Sequence, residues 1–190
     1  MDNIVITATS IVTGDDVRAA RLGTRFGRLD LLSQVALLAV EPLVSNFGSI
    51  ARERIGICLA ARAGSLPTDV EYWNGREATG GPSPTLFAYT LPSAAVGEIA
   101  IRHRLTGPNL CFVGSDAAIV SEAADWLSRG LVDGCLCVSS NVVSEALARM
   151  IQAPPAARAC ALFLQRGSGG LQVLGKNDRD MESLCARFRA

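Results

Sequence analysis

Apolar positions along this chain follow two rhythms. Short runs of β-branched and other apolar residues read as strands, and stretches with apolar residues three and four apart read as helices. Residues 4–12 form the first strand. Residues 30–44 carry Leu31, Leu32, Val35, Leu38 and Ala39 at helical spacing, with Pro42 near the end. Residues 54–60 read as a second strand. Residues 64–84 are rich in Gly, Pro and polar side chains, which predicts a long loop with a helical turn around 70–73. Residues 94–103 form a helix, ended by Leu105-Thr106-Gly107-Pro108. Residues 110–113 are a third strand, residues 117–128 a helix stopped by Gly130, and residues 134–139 a fourth strand. Residues 159–165 and 171–174 are the last two strands, joined by Gly167-Ser168-Gly169-Gly170, and residues 180–189 form a short helix.

The order β-α-β-α-β-α-β-β predicts an α/β fold. We expect a mixed, mostly parallel sheet of five or six strands with helices on its faces, in one domain over residues 1–190. The near-continuous apolar strands fit burial on both faces.

Charge narrows the function classes. The 190 residues balance 18 Lys and Arg against 18 Asp and Glu, which argues against a general nucleic-acid or anionic-membrane binder. With 49% hydrophobic and only 19% charged residues, and a mean hydropathy of +0.28, part of the surface is expected to lie against a partner chain. No apolar run approaches the ~20 residues of a membrane span. The first residues lack a basic leader with a cleavage site, so a cytoplasmic location is expected.

Cys58, Cys111, Cys135, Cys137, Cys160 and Cys185 sit mostly within apolar strand-like runs. Cys135 and Cys137 share one strand face, where a disulfide between them would be strained. They read as reduced core thiols. With His103 the only histidine, no metal site is expected. Gly80-Gly81-Pro82 and residues 167–170 lack the neighbours of a phosphate-binding loop, so they read as turns and no cofactor is expected.

Ser115 beside Asp116 has the look of a nucleophile next to a carboxylate, but a serine nucleophile needs an oriented base. The competing reading is that both cap the following helix. Cys111 lies mid-strand, where a thiol is buried and inert. His103, within Ile101-Arg102-His103-Arg104, reads as a helix-end residue that complements the dipole or stays solvated.

The run SPTLFAYTLPSAAVGEIAIRHRLTGPNLCFVGSDAAIVSEAADWLSRGLVDGCLCVSS, residues 83–140, resembles the nucleophile-bearing stretch of a β-ketoacyl-acyl-carrier-protein synthase of the thiolase-like superfamily. ITATSIVTG, RIGICLAARAG and CALFLQRGSGGLQVLG resemble other strands of the N-terminal half of that fold. The resemblance implies a catalytic Cys on a tight elbow. Counted from Gly107-Pro108 that position is Asp116, and counted back from Arg129-Gly130 it lies near Val113. Neither is a cysteine. The family's histidine pair belongs to a second half, which the resemblance leaves outside this chain.

The resemblance also implies a dimer interface along Leu110, Cys111, Phe112 and Val113, where ketosynthase strands pair antiparallel across a two-fold. Leu86, Phe87 and Tyr89 are implied as acyl-tunnel or gate residues. The reading is a non-catalytic, chain-length-factor-like subunit in fatty-acid or polyketide-type (including polyene pigment) biosynthesis. Its expected partners are a full-length ketosynthase in a heterodimer, or a second copy of itself, together with acyl carrier protein. The alternatives are an acyltransferase or decarboxylase using Ser115 or Asp116, and a homodimeric acyl-binding scaffold.

Overall fold

Side chains alternate between the two faces of each central strand, and the two sets pack into two separate cores. The computed structural model describes residues 3–20, 22–78, 81–152, 154–167, 171–172 and 180–189. Its strands are β1 (Ile4–Thr13), β2 (Ile55–Ala61), β3 (Asn109–Val113), β4 (Gly134–Val143), β5 (Ala156–Arg166) and β6 (Leu171–Gln172), in one sheet of order β3-β2-β4-β5-β1-β6. The sheet is mixed, as expected. β3, β2 and β4 pair in parallel, and β4-β5, β5-β1 and β1-β6 are antiparallel. Four strands (β3, β2, β4 and β1) therefore point one way, and β5 and β6 run against them.

Ile55, Ile57 and Leu59 of β2, with Leu136 and Val138 of β4 and Ala161 and Phe163 of β5, face one core. Helices α2 (Leu31–Val40) and α5 (Ser93–His103) close it. Cys58, Cys135, Cys137, Leu162 and Leu164 face the other, under α6 (Ala117–Ser128) and α8 (Met181–Arg189). Burial on both sides is why these strands read as unbroken apolar runs rather than alternating ones.

Smaller helices complete the frame. α1 (Gly14–Ala19), α4 (Pro84–Phe87) and α7 (Glu145–Ile151) were not expected from the sequence. Short helices such as these carry too little periodicity to stand out. The expected loop over 64–84 is a correction as well: α3 (Leu66–Ala78) occupies most of it. Pro67 sits in the first turn, where its missing N–H costs nothing, and Asp69 suits the positive helix end. Tertiary anchors hold this helix: Ser65 Oγ donates to Thr90 O at 2.6 Å, and Thr68 Oγ donates to Asp30 Oδ2 at 2.9 Å. Asp30 also caps α2 by accepting from Ser33 N at 3.0 Å.

The helix expected over 30–44 is shorter than predicted. It ends at Val40, and the chain tightens into 3-10 turns over Glu41–Phe47, with Pro42 in their first turn. Further 3-10 turns span Phe26–Arg28 and Arg52–Arg54. β4 and β5 run longer than their apolar cores suggested, to Val143 and from Ala156. Gly80, the 168–170 turn and positions 173–174 of the expected last strand lie outside the described residues.

The turn into β3 depends on a close backbone approach. Thr106 N donates to Arg52 O at 3.3 Å, and a Cβ on Gly107 would lie 2.2 Å from Ile55 O. Only glycine fits there.

Candidate functional site

The carboxyl ends of β2, β3 and β4 converge on the start of α6, a position where α/β sheets commonly place their sites. The chain leaves β3 at Val113 and turns through Gly114, Ser115 and Asp116 into α6. Gly114 has a φ of +147°, and a Cβ there would meet the Phe112 ring at 2.8 Å. A tight turn therefore stands where the sequence predicts one, and Asp116 is at the head of the helix.

Ser115 is exposed, and its Oγ accepts a long 3.4 Å contact from Ala117 N. The capping reading is only half right. Asp116 occupies the N-cap position but makes no side-chain bond to its own helix. Instead its Oδ2 accepts from Met181 N, at the start of α8, at 3.3 Å.

No imidazole serves this elbow. His103 ends α5 before β3 begins, whereas Ser115 follows the far end of β3, and no contact between the two is present among the described residues. The expectation of a solvated His103 is corrected. Its side chain is only 7% exposed and stands edge-on to Phe47, with ring centroids 6.5 Å apart. Its Nε2 has no hydrogen-bond partner among the described residues, Glu41 Oε1 being 3.8 Å away. Burial pushes its pKa down, with Arg102 and Arg52 adding to the effect and Glu41 opposing it.

Beside the elbow lies an open cleft of about 480 Å³ that sequence reasoning missed. Arg62, Asn141, Arg158 and Asp116 line it, with Asp180 and Glu182 from the start of α8. Asn141 organises one wall: its Oδ1 accepts from Arg62 N at 2.9 Å, and its Nδ2 donates to Ser139 Oγ at 3.1 Å. Arg158 pairs with Glu182. The signal available beforehand was weak: a polar residue after an apolar parallel-strand run, Arg62 just past β2 and Asn141 late in β4.

The second feature is the sheet edge. β3 pairs with β2 on one side, and its other side has no strand partner among the described residues. Leu110 and Cys111 are half-buried, whereas Phe112 and Val113 are 40% and 59% exposed. Burial raises the pKa of the Cys111 thiol, so it is a poor nucleophile. Apolar side chains on an open edge strand invite a partner.

The three tunnel candidates stand together just before α5. Leu86 is half-buried, and Phe87 is 63% exposed with its ring 5.8 Å from that of Tyr72. Tyr89 packs partly against the first core and donates its hydroxyl to Glu98 Oε1 at 3.2 Å.

The fold has parallels among solved structures. The ishigamide ketosynthase/chain length factor superposes with a TM-score of 0.71 over 86% of this chain, at 21% identity. The ketosynthase ApeO in complex with its chain length factor ApeC, from Xenorhabdus doucetiae, gives 0.69 over 88% at 16% identity. AntDE:AntF, a type II polyketide synthase acyl carrier protein in complex with its ketosynthase, gives 0.70 over 87% at 18%.

The fold is that of ketosynthases and chain length factors.

The chain spans 62%, 80% and 63% of the matched chains' own lengths. No family model matches the sequence, and no curated protein matches it. Among the described residues, no helix is long and apolar enough to cross a membrane.

Proposed function

We propose that this chain is a non-catalytic ketosynthase-like subunit that pairs with an active β-ketoacyl-acyl-carrier-protein synthase in the cytoplasm and shapes its acyl tunnel. One observation carries this reading: an elbow without a nucleophile stands beside an open apolar sheet edge. Condensation needs a thiolate to hold the acyl chain and donors to stabilise the enolate formed by decarboxylation. The elbow supplies Ser115 and Asp116, with the only histidine buried at the far end of β3 and the Asp116 carboxylate engaged by α8. The edge strand keeps what a partner needs, a side with no strand partner among the described residues, bearing the exposed Phe112 and Val113.

The solved neighbours support the pairing, since two are ketosynthases with chain length factors. A third holds an acyl carrier protein against its ketosynthase, so carrier docking would fall to the assembled pair. Leu86 and Phe87 are the side chains we assign to the tunnel wall.

The test is co-expression with a ketosynthase of the same biosynthetic system. The expected result is a one-to-one complex by size-exclusion chromatography and light scattering, and no condensation of acyl- and malonyl-carrier protein by the isolated chain. Turnover by the pure chain, or a stable homodimer that excludes the ketosynthase, would overturn the proposal.

A further inference from the structure

A hollow of about 270 Å³ lies between the turn at residues 25–29 and α5. It shares no lining residue with the cleft beside the elbow. Its floor is apolar: Phe26, Leu29 and Leu37 are buried beneath it, and Ile101 stands 62% exposed at its edge. Its rim carries two guanidinium groups, Arg25 and Arg102.

Both groups are pinned, and neither is used up. Arg25 donates from Nε to Glu98 Oε2 at 3.3 Å and from Nη2 to the same oxygen at 3.1 Å. Glu98 is itself held by the Tyr89 hydroxyl at 3.2 Å. Arg102 donates from Nε to Glu41 Oε1. Arg25 Nη1 and both terminal nitrogens of Arg102 have no hydrogen-bond partner among the described residues. The turn that presents Arg25 is fixed as well: Gln34 Nε2 donates to Phe26 O at 3.0 Å, and Leu29 N donates to the same oxygen at 3.2 Å. A rim held in place before a ligand arrives loses little freedom on binding.

Charge selects the sign of the ligand. At Arg25 and Glu98 the hollow opens onto a shallower shelf that adds Arg28. The Arg28 side chain is exposed and has no partner among the described residues. Three guanidiniums thus stand with two carboxylates, Glu98 and Glu41, and one positive charge is left over. Volume sets the size. At about 30 Å³ for each water-sized atom, 270 Å³ holds about nine non-hydrogen atoms.

We propose that this hollow is a binding site for a small amphiphilic monocarboxylate. Its apolar tail lies on Phe26, Leu29 and Ile101, and its carboxylate accepts the free N–H groups of Arg102 and Arg25. Guanidinium forks suit a carboxylate better than any neutral head group. An occupied site would tie α5 to the 25–29 turn, and α5 leads through the Gly107 turn into the open edge strand β3.

The experiment titrates the full chain with sodium octanoate, followed by calorimetry and by amide chemical shifts. Saturable one-to-one binding is expected, with a Kd on the order of 0.1–1 mM. The largest shifts should fall on Phe26 and on Glu98 to Arg102. Octanol should bind at least about tenfold more weakly, and octylammonium should not bind. Arg102→Gln should weaken octanoate about tenfold. Ile101→Asp, at an exposed position the core does not use, sets a negative charge on the rim and should abolish binding. If Arg102→Gln fails to fold, Ile101→Asp and the octanol comparison decide. No saturable binding, octanol binding as tightly as octanoate, shifts confined to the elbow cleft, or full affinity in Ile101→Asp would each overturn the proposal.

Discussion

The carboxylate of Asp116 accepts the backbone N–H of Met181 at 3.3 Å, so the residue at the head of the elbow helix serves a different helix. The family resemblance puts the acyl-bearing cysteine of a ketosynthase either at this position or near Val113. Here it ties α8 to the start of α6 and closes one side of the cleft. Removing this acceptor in Asp116→Ala should cost about 1 kcal/mol in urea unfolding and speed amide exchange at the first turn of α8. Asp116→Cys should show the same loosening and still no condensation, because no imidazole reaches the elbow. Exchange rates in α8 that do not move would mean the contact contributes nothing.

The open edge of β3 offers a separable test. Phe112 is 40% exposed in the single chain, so Phe112→Lys should leave its thermal unfolding nearly unchanged. In a paired complex the same lysine would be a buried, unpartnered charge, and assembly should be lost. Sedimentation of the variant with the ketosynthase decides. An intact complex would move the interface elsewhere.

Tunnel control is read from product length. Each methylene of an acyl chain buried against apolar side chains gains about 0.8 kcal/mol. Shortening Phe87 or Leu86 to Ala should therefore let the reconstituted pair make longer chains, sized by mass spectrometry. Tyr89→Ala should lengthen them less, because the Tyr89 hydroxyl is held by Glu98. An unchanged distribution in all three variants, with the complex intact, would leave these residues as ordinary packing.

Acid should weaken the fold first through His103. Burial lowers its pKa below the usual 6.5, so the folded chain resists the proton that the unfolded chain accepts. The stability is fully present above about pH 6.5 and is lost as pH falls from there through the folded value. His103→Leu should flatten the pH dependence of urea unfolding in that window. Asp133, held down chiefly by its hydrogen bond to Arg54, acts lower. Its contribution is present above its ordinary 3.8 and fades as pH falls through the folded value. A variant with an unaltered slope between pH 6.5 and 5 would clear His103 of this role.

The strands buried on both faces were legible in the sequence, because a short, unbroken apolar run such as IGICLA in β2 leaves no polar face to turn toward water. The sequence also determined the elbow, since Gly-Ser-Asp between an apolar strand and an amphipathic helix is a local signal, and it determined that no cysteine stands there. The rest came from long-range packing. α3 was hidden because Pro67 and Gly75 depress local helix propensity, and the bonds from Ser65 and Thr68 that anchor it reach Thr90 and Asp30, far along the chain. His103 is buried against Phe47, itself stacked by Arg52, and both come from turns whose packing no periodicity encodes. The partner of Asp116 lies 65 positions away, at the start of α8. Local patterns carry side-chain direction, so they report which face is buried. Which distant residues meet is set by how the faces stack, and that is where the cleft and the buried histidine come from.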